Sequence, residues 1–434
     1  MTKRFTIHDT RFKIKGFKAS GIFSGIKRQK RKDLALIFSE VESSAAGMFT
    51  TNKIKAAPVR LCIERIKSGK GQAIVANSGN ANACTGIQGY RDAIEMSRIA
   101  AENLGINRGG VYVSSTGVIG KPLPMEKIEA GIKKAVKKLS PEGFSDAAEA
   151  ITTTDTFPKL AFEEVIIGGE RVSILGIAKG SGMIHPKFAL NPVSGACPDP
   201  EFDPELDSGQ GSGVSGMATM LSFILSDAAI DATSLSYALK NAVESSFNKI
   251  TVDGETSTND TVIALSNGIA KNRPINQIFT EEFSLFQSAL NNVTQSLARM
   301  LVKDGEGATR FIEILVDGAS TLEDAENIAF SIANSPLVKT AFYGGDVNWG
   351  RIMVAIGNSG VDVYEERIDI SFDDLKVVEC GVRVSAFAEV EASKILKKER
   401  FRVTVDLNIG NSSVNIWTTD MSPDYIKMNA SYRT

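Results

Sequence analysis

The feature that most constrains the fold is a change of character at Thr219. From 180 to 216 neither helical nor strand periodicity is visible, and Gly, Pro, Ser and Asp predominate, as in a long loop. Directly after Thr219 begins the apolar run 220–225, which has the length of a buried strand. So long a stretch without structure of its own is usually either functional or disordered. We therefore expect the Thr219 hydroxyl to lie where a loop enters a buried element, a suitable place for a nucleophile.

Length and charge narrow the class of protein. A chain of 434 residues exceeds one ordinary domain, so we expect two lobes and a sizeable core. The formal net charge of -2, with both signs intermixed, gives no electrostatic reason for binding nucleic acid or an anionic membrane. Residues 1–15 are charged, and no run of about 18 apolar residues occurs, so a cytoplasmic protein is expected.

Cysteine and histidine positions argue against several kinds of site. The four cysteines are scattered without a C-x-x-C pair, which favours reduced thiols over a disulfide framework or zinc site: Cys62, Cys84, Cys197 and Cys380. The two histidines, His8 and His185, provide neither a Ser-His-Asp set nor a multi-histidine metal site. An acyl transfer by this chain would therefore need a base other than histidine.

Hydrophobic periodicity predicts a mixed α/β chain. Short apolar runs predict strands at 34–38, 59–63, 73–76, 111–113, 261–265, 311–316 and 401–407. Apolar residues at helical spacing predict helices around 93–104, 128–139, 235–247, 286–301 and 325–332. Gly105 is expected to end the first of these helices, and Pro124 to open the second. The runs 160–167 and 171–177 flank Gly168 and Gly169, which predicts a hairpin with a primed turn. The basic cluster 27–32 is expected to be a solvated turn before the first of these strands.

Five longer stretches occur in a characteristic order. They are S-T-G-V-I-G at 115–120, T-T-D-T-F-P-K at 153–159, K-G-x-G-M-I-x-P at 179–186, M-A-T-M-L-x-F-I-x-[ST]-D-A at 217–228, and G-D-x-N-W-G-R at 345–351. Together they resemble the ornithine acetyltransferase family, also called bifunctional glutamate N-acetyltransferase. The resemblance extends from 49–52 to the C-terminal residues 429–434. It implies a mixed α/β, two-lobed fold with sheets packed against helices, and an acyltransferase of arginine biosynthesis.

The resemblance implies a nucleophile that the protein makes for itself. In the family, the bond matching Ala218–Thr219 is cut autocatalytically, which here would give an α-chain, 1–218, and a β-chain, 219–434. The new α-amino group of Thr219, with an ordinary pKa of about 8, would then take the proton of the Thr219 hydroxyl. The resemblance also implies a heterotetramer of two α-chains and two β-chains.

Other family positions fall on polar residues of this chain. Thr116 and Gly117 match the oxyanion hole, and the substrate contacts match Thr154, Lys179, Thr219, Glu306, Asn429 and Thr434. A lysine, a carboxylate and hydroxyls suit a substrate that carries one carboxylate and one ammonium group, as N-acetylornithine does. Taken singly, each position has an ordinary alternative: a turn without a ligand for 115–120, a solvated strand end for Lys179, and a surface carboxylate for Glu306.

The chain departs from the family pattern by an insertion, 187–216, between the lysine motif and the Ala-Thr pair. Lengthening a flexible loop costs only about 0.6 kcal/mol per doubling, so the site can survive with the insertion looped out. Self-cleavage depends more on local geometry at the bond, and we expect that it still occurs.

The leading hypothesis is transfer of acetyl from N-acetylornithine to glutamate through a threonine acyl-enzyme. The resemblance implies no metal or organic cofactor, and acetyl-CoA stays open as a second acetyl donor. The alternatives are a self-processed N-terminal-nucleophile amidase or peptidase of similar fold, in which water replaces glutamate, and a homologue that the insertion has made inactive.

Overall fold

The computed structural model describes residues 13–190 and 219–430, which form two compact units. The first unit contains residues 13–180, 186–190, 219–248 and 256–298, and the second contains residues 181–185, 249–255 and 299–430. Each unit combines a β-sheet with helices. The predicted mixed α/β class is confirmed, and the division into two parts agrees with the two lobes expected.

The first unit is built on a nine-stranded sheet within the described residues. Its strands are β1 (Phe17–Ile22), β2 (Leu34–Thr50), β3 (Lys70–Asn80), β4 (Val111–Val118), β5 (Lys159–Ile167), β6 (Glu170–Lys179), β7 (Phe188–Ala189), β8 (Leu221–Ser226) and β9 (Thr261–Ser266). Seven of them follow the order β4-β3-β2-β9-β8-β6-β5, and β1 and β7 both pair with β2. The pairs β3–β4 and β8–β9 are parallel.

Helices accompany this sheet and share its core. They are α1 (Ala57–Ile66), α2 (Gly86–Leu104), α3 (Met125–Lys137), α4 (Phe144–Ile151), α5 (Ala232–Glu244) and α6 (Glu281–Lys303), and the last of these carries the chain into the second unit. Apolar side chains of α3, such as Ile128 and Ile132, are fully buried in one cluster with Leu36 of β2. Single turns of 3-10 helix occur at Arg108–Gly110, Phe247–Lys249 and Glu365–Arg367.

Several predicted elements are confirmed together with their end signals. The hairpin of β5 and β6 turns at Gly168 and Gly169, whose φ angles of +58° and +87° only glycine adopts readily. Helix α2 ends at Gly105, which is left-handed with φ +69°. Helix α3 begins directly after Pro124, as predicted.

The strand predicted at 59–63 is wrong, because these residues lie in α1. Pro58 occupies the first turn of the helix, where its missing N–H costs nothing. Val59 and Cys62 face the core at helical spacing, while Arg60 is exposed. A short apolar run fits either period, so the proline was the decisive signal.

The second unit contains a six-stranded sheet within the described residues. Its strands are β10 (Phe311–Ala319), β11 (Asp369–Phe372), β12 (Leu375–Glu379), β13 (Val382–Arg383), β14 (Arg400–Asp406) and β15 (Ser412–Thr419), in the order β13-β12-β11-β14-β10-β15. Its helices are α7 (Leu322–Asn334), α8 (Pro336–Gly344), α9 (Trp349–Gly357), α10 (Ala386–Leu396) and α11 (Pro423–Ala430). The predicted strands β10 and β14 are confirmed, whereas α8 to α11 were not predicted.

Described strands on both sides of the predicted junction between α-chain and β-chain belong to the first sheet. Strand β6 precedes residue 218 and strand β8 follows it, and the two pair in antiparallel register from Ile174 opposite Ser226 to Lys179 opposite Leu221. Both predicted chains therefore contribute strands to one sheet. Across the described ranges, every helix is too short or too polar to cross a bilayer.

Candidate active site

Three segments that carry polar side chains meet at one edge of the first sheet. Lys179 is the last residue of β6 and lies opposite Leu221, the first residue of β8. Thr219 lies two residues before that strand. Because β8 and β9 are parallel, residues just before β9, such as Ser257, lie at the same edge as Thr219. Strand order thus brings together residues that are distant in sequence.

The side chain of Thr219 is buried and held in place. It is 3% exposed, and its Oγ1 shares a hydrogen bond of 2.6 Å with the hydroxyl of Ser257. The carboxylate of Asp260 accepts from the N–H of Met220 at 2.8 Å and from the N–H of Ser257 at 3.0 Å. One carboxylate therefore fixes the backbone on both sides of the hydroxyl pair.

Lys179 links the strand end to the nucleophile candidate. Its ammonium group is completely buried and donates to the carbonyl oxygen of Thr219 at 2.8 Å. It also donates to the hydroxyls of Thr153 at 2.8 Å and Thr116 at 3.3 Å. The alternative of a solvated strand end for Lys179 is therefore wrong.

Asp155 supplies the negative charge that accompanies this lysine. Its carboxylate forms an ion pair of 2.6 Å with Lys159 and lies 3.9 Å from Lys179, and all three side chains are fully buried. It also accepts from the N–H of Gly180 at 2.7 Å and of Thr153 at 3.0 Å. Burial would raise the pKa of Asp155, but the two ammonium groups outweigh it and hold that pKa well below its usual range. The carboxylate is therefore ionised at neutral pH.

The predicted oxyanion residues Thr116 and Gly117 end the parallel strand β4. Gly117 lies opposite Gly79 of β3, and a Cβ atom added to Gly117 would lie 2.7 Å from the Cα of Gly79. With φ +135° as well, position 117 requires glycine. Asn259 joins this strand to the segment before β9, because its Nδ2 donates to the carbonyl of Ser115 at 2.9 Å. The structure thus places Thr116 beside Lys179, while the oxyanion role stays a prediction.

Two further predicted substrate contacts lie together in the second unit. Glu306 is 3% exposed, and its Oε2 accepts from the Nδ2 of Asn429 at 3.0 Å. The N–H of Glu306 donates to the carbonyl of Ser181 at 2.8 Å. A Cβ added to Gly182 would lie 2.5 Å from the carboxyl carbon of Glu306. Glu306 is therefore a buried carboxylate against the lysine-motif backbone, and the alternative of a surface residue is wrong.

Some predicted site residues lie outside the described residues, and the predicted roles of others are not tested by their contacts. Ala218 and Thr434 lie outside the described residues, as do His8, Cys197 and most of the predicted insertion. Thr154 is half-buried next to Thr153, and its substrate contact stays a prediction. The other three cysteines are free thiols.

Sequence reasoning missed several residues of this cluster. The polar run directly before the apolar strand β9 contains Ser257, Asn259 and Asp260. The change from polar to apolar residues at this point could have marked these residues in the sequence. Asp155 and Lys159 belong to the T-T-D-T-F-P-K stretch, in which Thr154 alone had been assigned a role. A buried lysine needs a partner, so a carboxylate near Lys179 was to be expected.

The basic cluster 27–32 is not solvated throughout, as had been predicted. Residues 28–31 are exposed, but Lys27 is only partly so, and its Nζ donates to the carbonyl of Thr152 at 2.6 Å. Burial, followed by the charge of Arg31, lowers the pKa of Lys27 to about 8. The prediction failed because the loop between β1 and β2 brings Lys27 to Thr152, in the turn that also contains Thr153.

The described parts of the chain contain no group of three or more His, Cys, Asp or Glu side chains placed to hold a metal ion. The charged side chains around Thr219 are the lysines Lys159 and Lys179 and the carboxylates Asp155 and Asp260.

The ArgJ family model matches residues 18–191 and 206–434. The arginine biosynthesis bifunctional protein ArgJ of Geobacter sulfurreducens is 46% identical over 421 residues, which are 97% of this chain and 100% of that protein. Its counterpart in Caldanaerobacter subterraneus subsp. tengcongensis is 48% identical over 424 residues, 97% of each chain. The interruption of the family match, 192–205, falls within the predicted insertion.

One similar solved structure is ornithine acetyltransferase complexed with ornithine from Mycobacterium tuberculosis. The two sequences are 36% identical. The match covers 41% of this chain and 97% of that chain, and the TM-score is 0.37. The family evidence therefore comes from the sequence matches.

Proposed function

Because this chain belongs to the ArgJ family, we propose that it moves an acetyl group from N2-acetyl-L-ornithine to L-glutamate in arginine biosynthesis. The observation that carries this proposal is the buried hydroxyl of Thr219, paired with Ser257 and held by Lys179 through its own carbonyl. A hydroxyl fixed in this way needs little reorganisation before it attacks. The relatives are named as arginine biosynthesis proteins, which does not favour the amidase alternative.

The first step in this proposal is self-cleavage between Ala218 and Thr219. The Thr219 hydroxyl attacks the carbonyl carbon of Ala218, the C–N bond breaks as the nitrogen takes a proton, and an ester forms. Water then hydrolyses the ester, which leaves a carboxylate on the α-chain, 1–218, and a free amine on the β-chain, 219–434. The pairing of β6 with β8 supports continued association of the two chains.

The second step loads the acetyl group. The new α-amino group of Thr219 takes the hydroxyl proton, and the oxygen attacks the acetyl carbonyl of N-acetylornithine. Thr116 and the N–H of Gly117 stabilise the oxyanion, a contribution of about 3 to 4 kcal/mol per donor. The scissile C–N bond then breaks, ornithine leaves with the transferred proton, and Thr219 carries the acetyl ester.

The third step unloads the acetyl group onto glutamate. The amine of glutamate attacks the ester carbonyl, the C–O bond breaks, and the Thr219 oxygen regains a proton as N-acetylglutamate leaves. Lys179 and Thr154 serve the carboxylate end of the amino acid. Glu306, Asn429 and Thr434 serve the other end of the donor N-acetylornithine, where the Glu306 carboxylate faces the side-chain ammonium group. The burial of Lys179 and Glu306 supports these roles, since a buried charge recognises an opposite one strongly.

The proposal includes no metal and no organic cofactor. Acetyl-CoA is a candidate second donor, in keeping with the word bifunctional in the names of the relatives. A heterotetramer of two α-chains and two β-chains and a cytoplasmic location also belong to the proposal. Incubating the enzyme with acetyl-CoA and glutamate, and measuring N-acetylglutamate, tests the second donor.

The decisive experiment is mass spectrometry of the purified protein before and after incubation with N-acetylornithine. We expect two chains, and an added acetyl group on the fragment that begins at Thr219. Thr219→Ala should abolish the adduct and the turnover, whereas Thr219→Ser should keep part of both. A single uncut chain with normal turnover would disprove the mechanism. Release of acetate in place of N-acetylglutamate when glutamate is present would favour the amidase alternative.

A further inference from the structure

Lys27 lies against the candidate active site, although no motif marked it. A Cβ atom added to Gly79 would lie 3.1 Å from the Cγ of Lys27, so the lysine stem covers Gly79. Gly79 is the strand partner of Gly117, the predicted oxyanion residue. The Nζ of Lys27 donates to the carbonyl of Thr152, which directly precedes the Thr153 that binds Lys179. Lys27 thus lies between Gly79, which pairs with the predicted oxyanion strand β4, and the turn that contains Thr152 and Thr153.

The segment that carries Lys27 is held rigidly. Both carboxylate oxygens of the buried Asp33 accept from this segment, namely from the N–H groups of Ser24, Gly25, Ile26 and Lys27 and from the hydroxyl of Ser24. Lys127 of α3 donates to the carbonyl of Gly25 at 2.7 Å. Lys32 pairs with Asp146 and Glu149 of α4. A lysine fixed in this way is preorganised for a ligand, because little freedom remains to be lost.

Positive charge exceeds negative charge around Lys27. Besides Lys27, the cations are Arg31 in its own segment and Lys179 at the end of β6, and the anions are Asp33 and Asp155. Both carboxylates are saturated by protein donors. An ammonium group has three N–H donors, and two of those of Lys27 bind carbonyls, of Thr152 at 2.6 Å and Lys32 at 3.0 Å. Within the described residues the third donor is available to a ligand.

We propose that Lys27 is a substrate-binding residue that binds the α-carboxylate common to ornithine, its acetylated form and glutamate. The proposal rests on the proposed acetyl transfer. The α-carboxylate lies next to the nitrogen that carries or receives the acetyl group, so it belongs near Thr219 and the oxyanion strand. Lys27 flanks that strand through Gly79, and its free donor matches a carboxylate.

The lowered pKa of Lys27 determines the direction in which binding of the α-carboxylate changes with pH. Burial and Arg31 lower the pKa of Lys27 to about 8, while Asp33 opposes them, and Lys179 and Asp155 add smaller effects of opposite sign. An anionic ligand binds the protonated form better. Affinity for the α-carboxylate should therefore be highest below pH 8 and should decline as the pH rises through 8.

The test compares ornithine with putrescine, which is ornithine without its α-carboxylate. Calorimetric titration of both ligands gives the preference for the carboxylate as a ratio of dissociation constants within one protein sample. Lys27→Met keeps the apolar stem and removes the charge, and it should reduce that ratio by about tenfold to a hundredfold. Because both dissociation constants are measured on the same sample, partial unfolding of a variant affects both titrations equally and cancels in their ratio.

Lys30→Met is the matched control, because Lys30 lies in the same basic cluster but is exposed. It should leave the ratio unchanged. Lys27→Arg keeps the charge and should keep part of the preference without its decline as pH rises through 8. If wild type fails to prefer ornithine, the proposed function fails. If wild type prefers ornithine and Lys27→Met retains the whole preference, the assignment of Lys27 alone is overturned.

Discussion

The ammonium nitrogen of Lys179 lies 2.8 Å from the carbonyl oxygen of Thr219, and both residues are buried. The two positions are brought together because the last residue of β6 pairs with the first residue of β8. In the intact chain this contact orients the backbone that follows the predicted scissile bond. We therefore predict that Lys179 contributes to the proposed self-cleavage as well as to substrate binding.

Replacement of Lys179 should impair both processes. Lys179→Met removes the donor to Thr219 and leaves Asp155 with one lysine fewer, so we expect a loss of about 3 to 5 kcal/mol in stability. Cleavage should slow and kcat/KM should fall by about 100-fold or more. Gel electrophoresis over time, melting temperature and steady-state rates measure the three effects. Lys303→Met changes an exposed lysine at the C-terminal end of helix α6, outside this cluster, and serves as control. Equal loss in both variants would contradict the assignment.

Ser257 should affect the rate more than substrate binding. Ser257→Ala removes the 2.6 Å hydrogen bond to the Thr219 hydroxyl, which then samples other rotamers. One such buried hydrogen bond is worth about 1 to 1.5 kcal/mol, so kcat should fall about fivefold to tenfold with KM little changed. Ser245→Ala alters an exposed serine and should change neither constant. A rise in KM at constant kcat would show that Ser257 acts on the substrate and not on Thr219.

The sequence predicted much of this architecture but few of the contacts at its centre. Periodicity and end signals located α2, α3 and the β5–β6 hairpin, because Gly105, Pro124 and the Gly168 turn act locally. The run 59–63 was assigned to a strand, because five apolar-rich residues satisfy both periods. Turn and capping residues determine local structure, and a run of five residues contains too few of them to distinguish a strand from a helix.

The centre of the site depends on strand order, which no local pattern encodes. Thr219, Lys179 and Glu306 were found through family motifs, and the structure shows each of them buried among polar partners. Ser257 and Asp155 were missed because their importance arises only when the β9-β8-β6-β5 order brings distant strand ends together. A sequence gives residue types and their spacing, but it does not show which strand ends meet in the fold.

Gly182 should control the position of Glu306 in the second unit. Gly182→Ala places a methyl group 2.5 Å from the carboxyl carbon, so the carboxylate must shift and its bond with Asn429 must weaken. Overpacking of this kind costs about 1 to 3 kcal/mol, and if Glu306 binds substrate, KM should rise by about tenfold. Gly344→Ala is the control, since a Cβ there meets nothing within 4 Å. An unchanged KM in Gly182→Ala would argue against a substrate role for Glu306.

Asp155 should make the protein sensitive to acid. Its pKa in the folded state is depressed, because Lys159 and Lys179 outweigh the effect of burial, whereas in the unfolded chain it is about 3.9. The ion-pair stabilisation is therefore fully present above about pH 5 and is lost as the pH falls below 3.9 toward the folded-state pKa. Asp155→Asn leaves two buried lysines without their carboxylate and should lower stability by about 3 to 5 kcal/mol at neutral pH. Its urea midpoint should consequently depend less on pH between about 2 and 5 than that of wild type.

Asp374→Asn, in an exposed turn between β11 and β12, should keep the wild-type profile. An Asp155→Asn profile parallel to that of wild type would mean that the carboxylate does not carry this pH dependence.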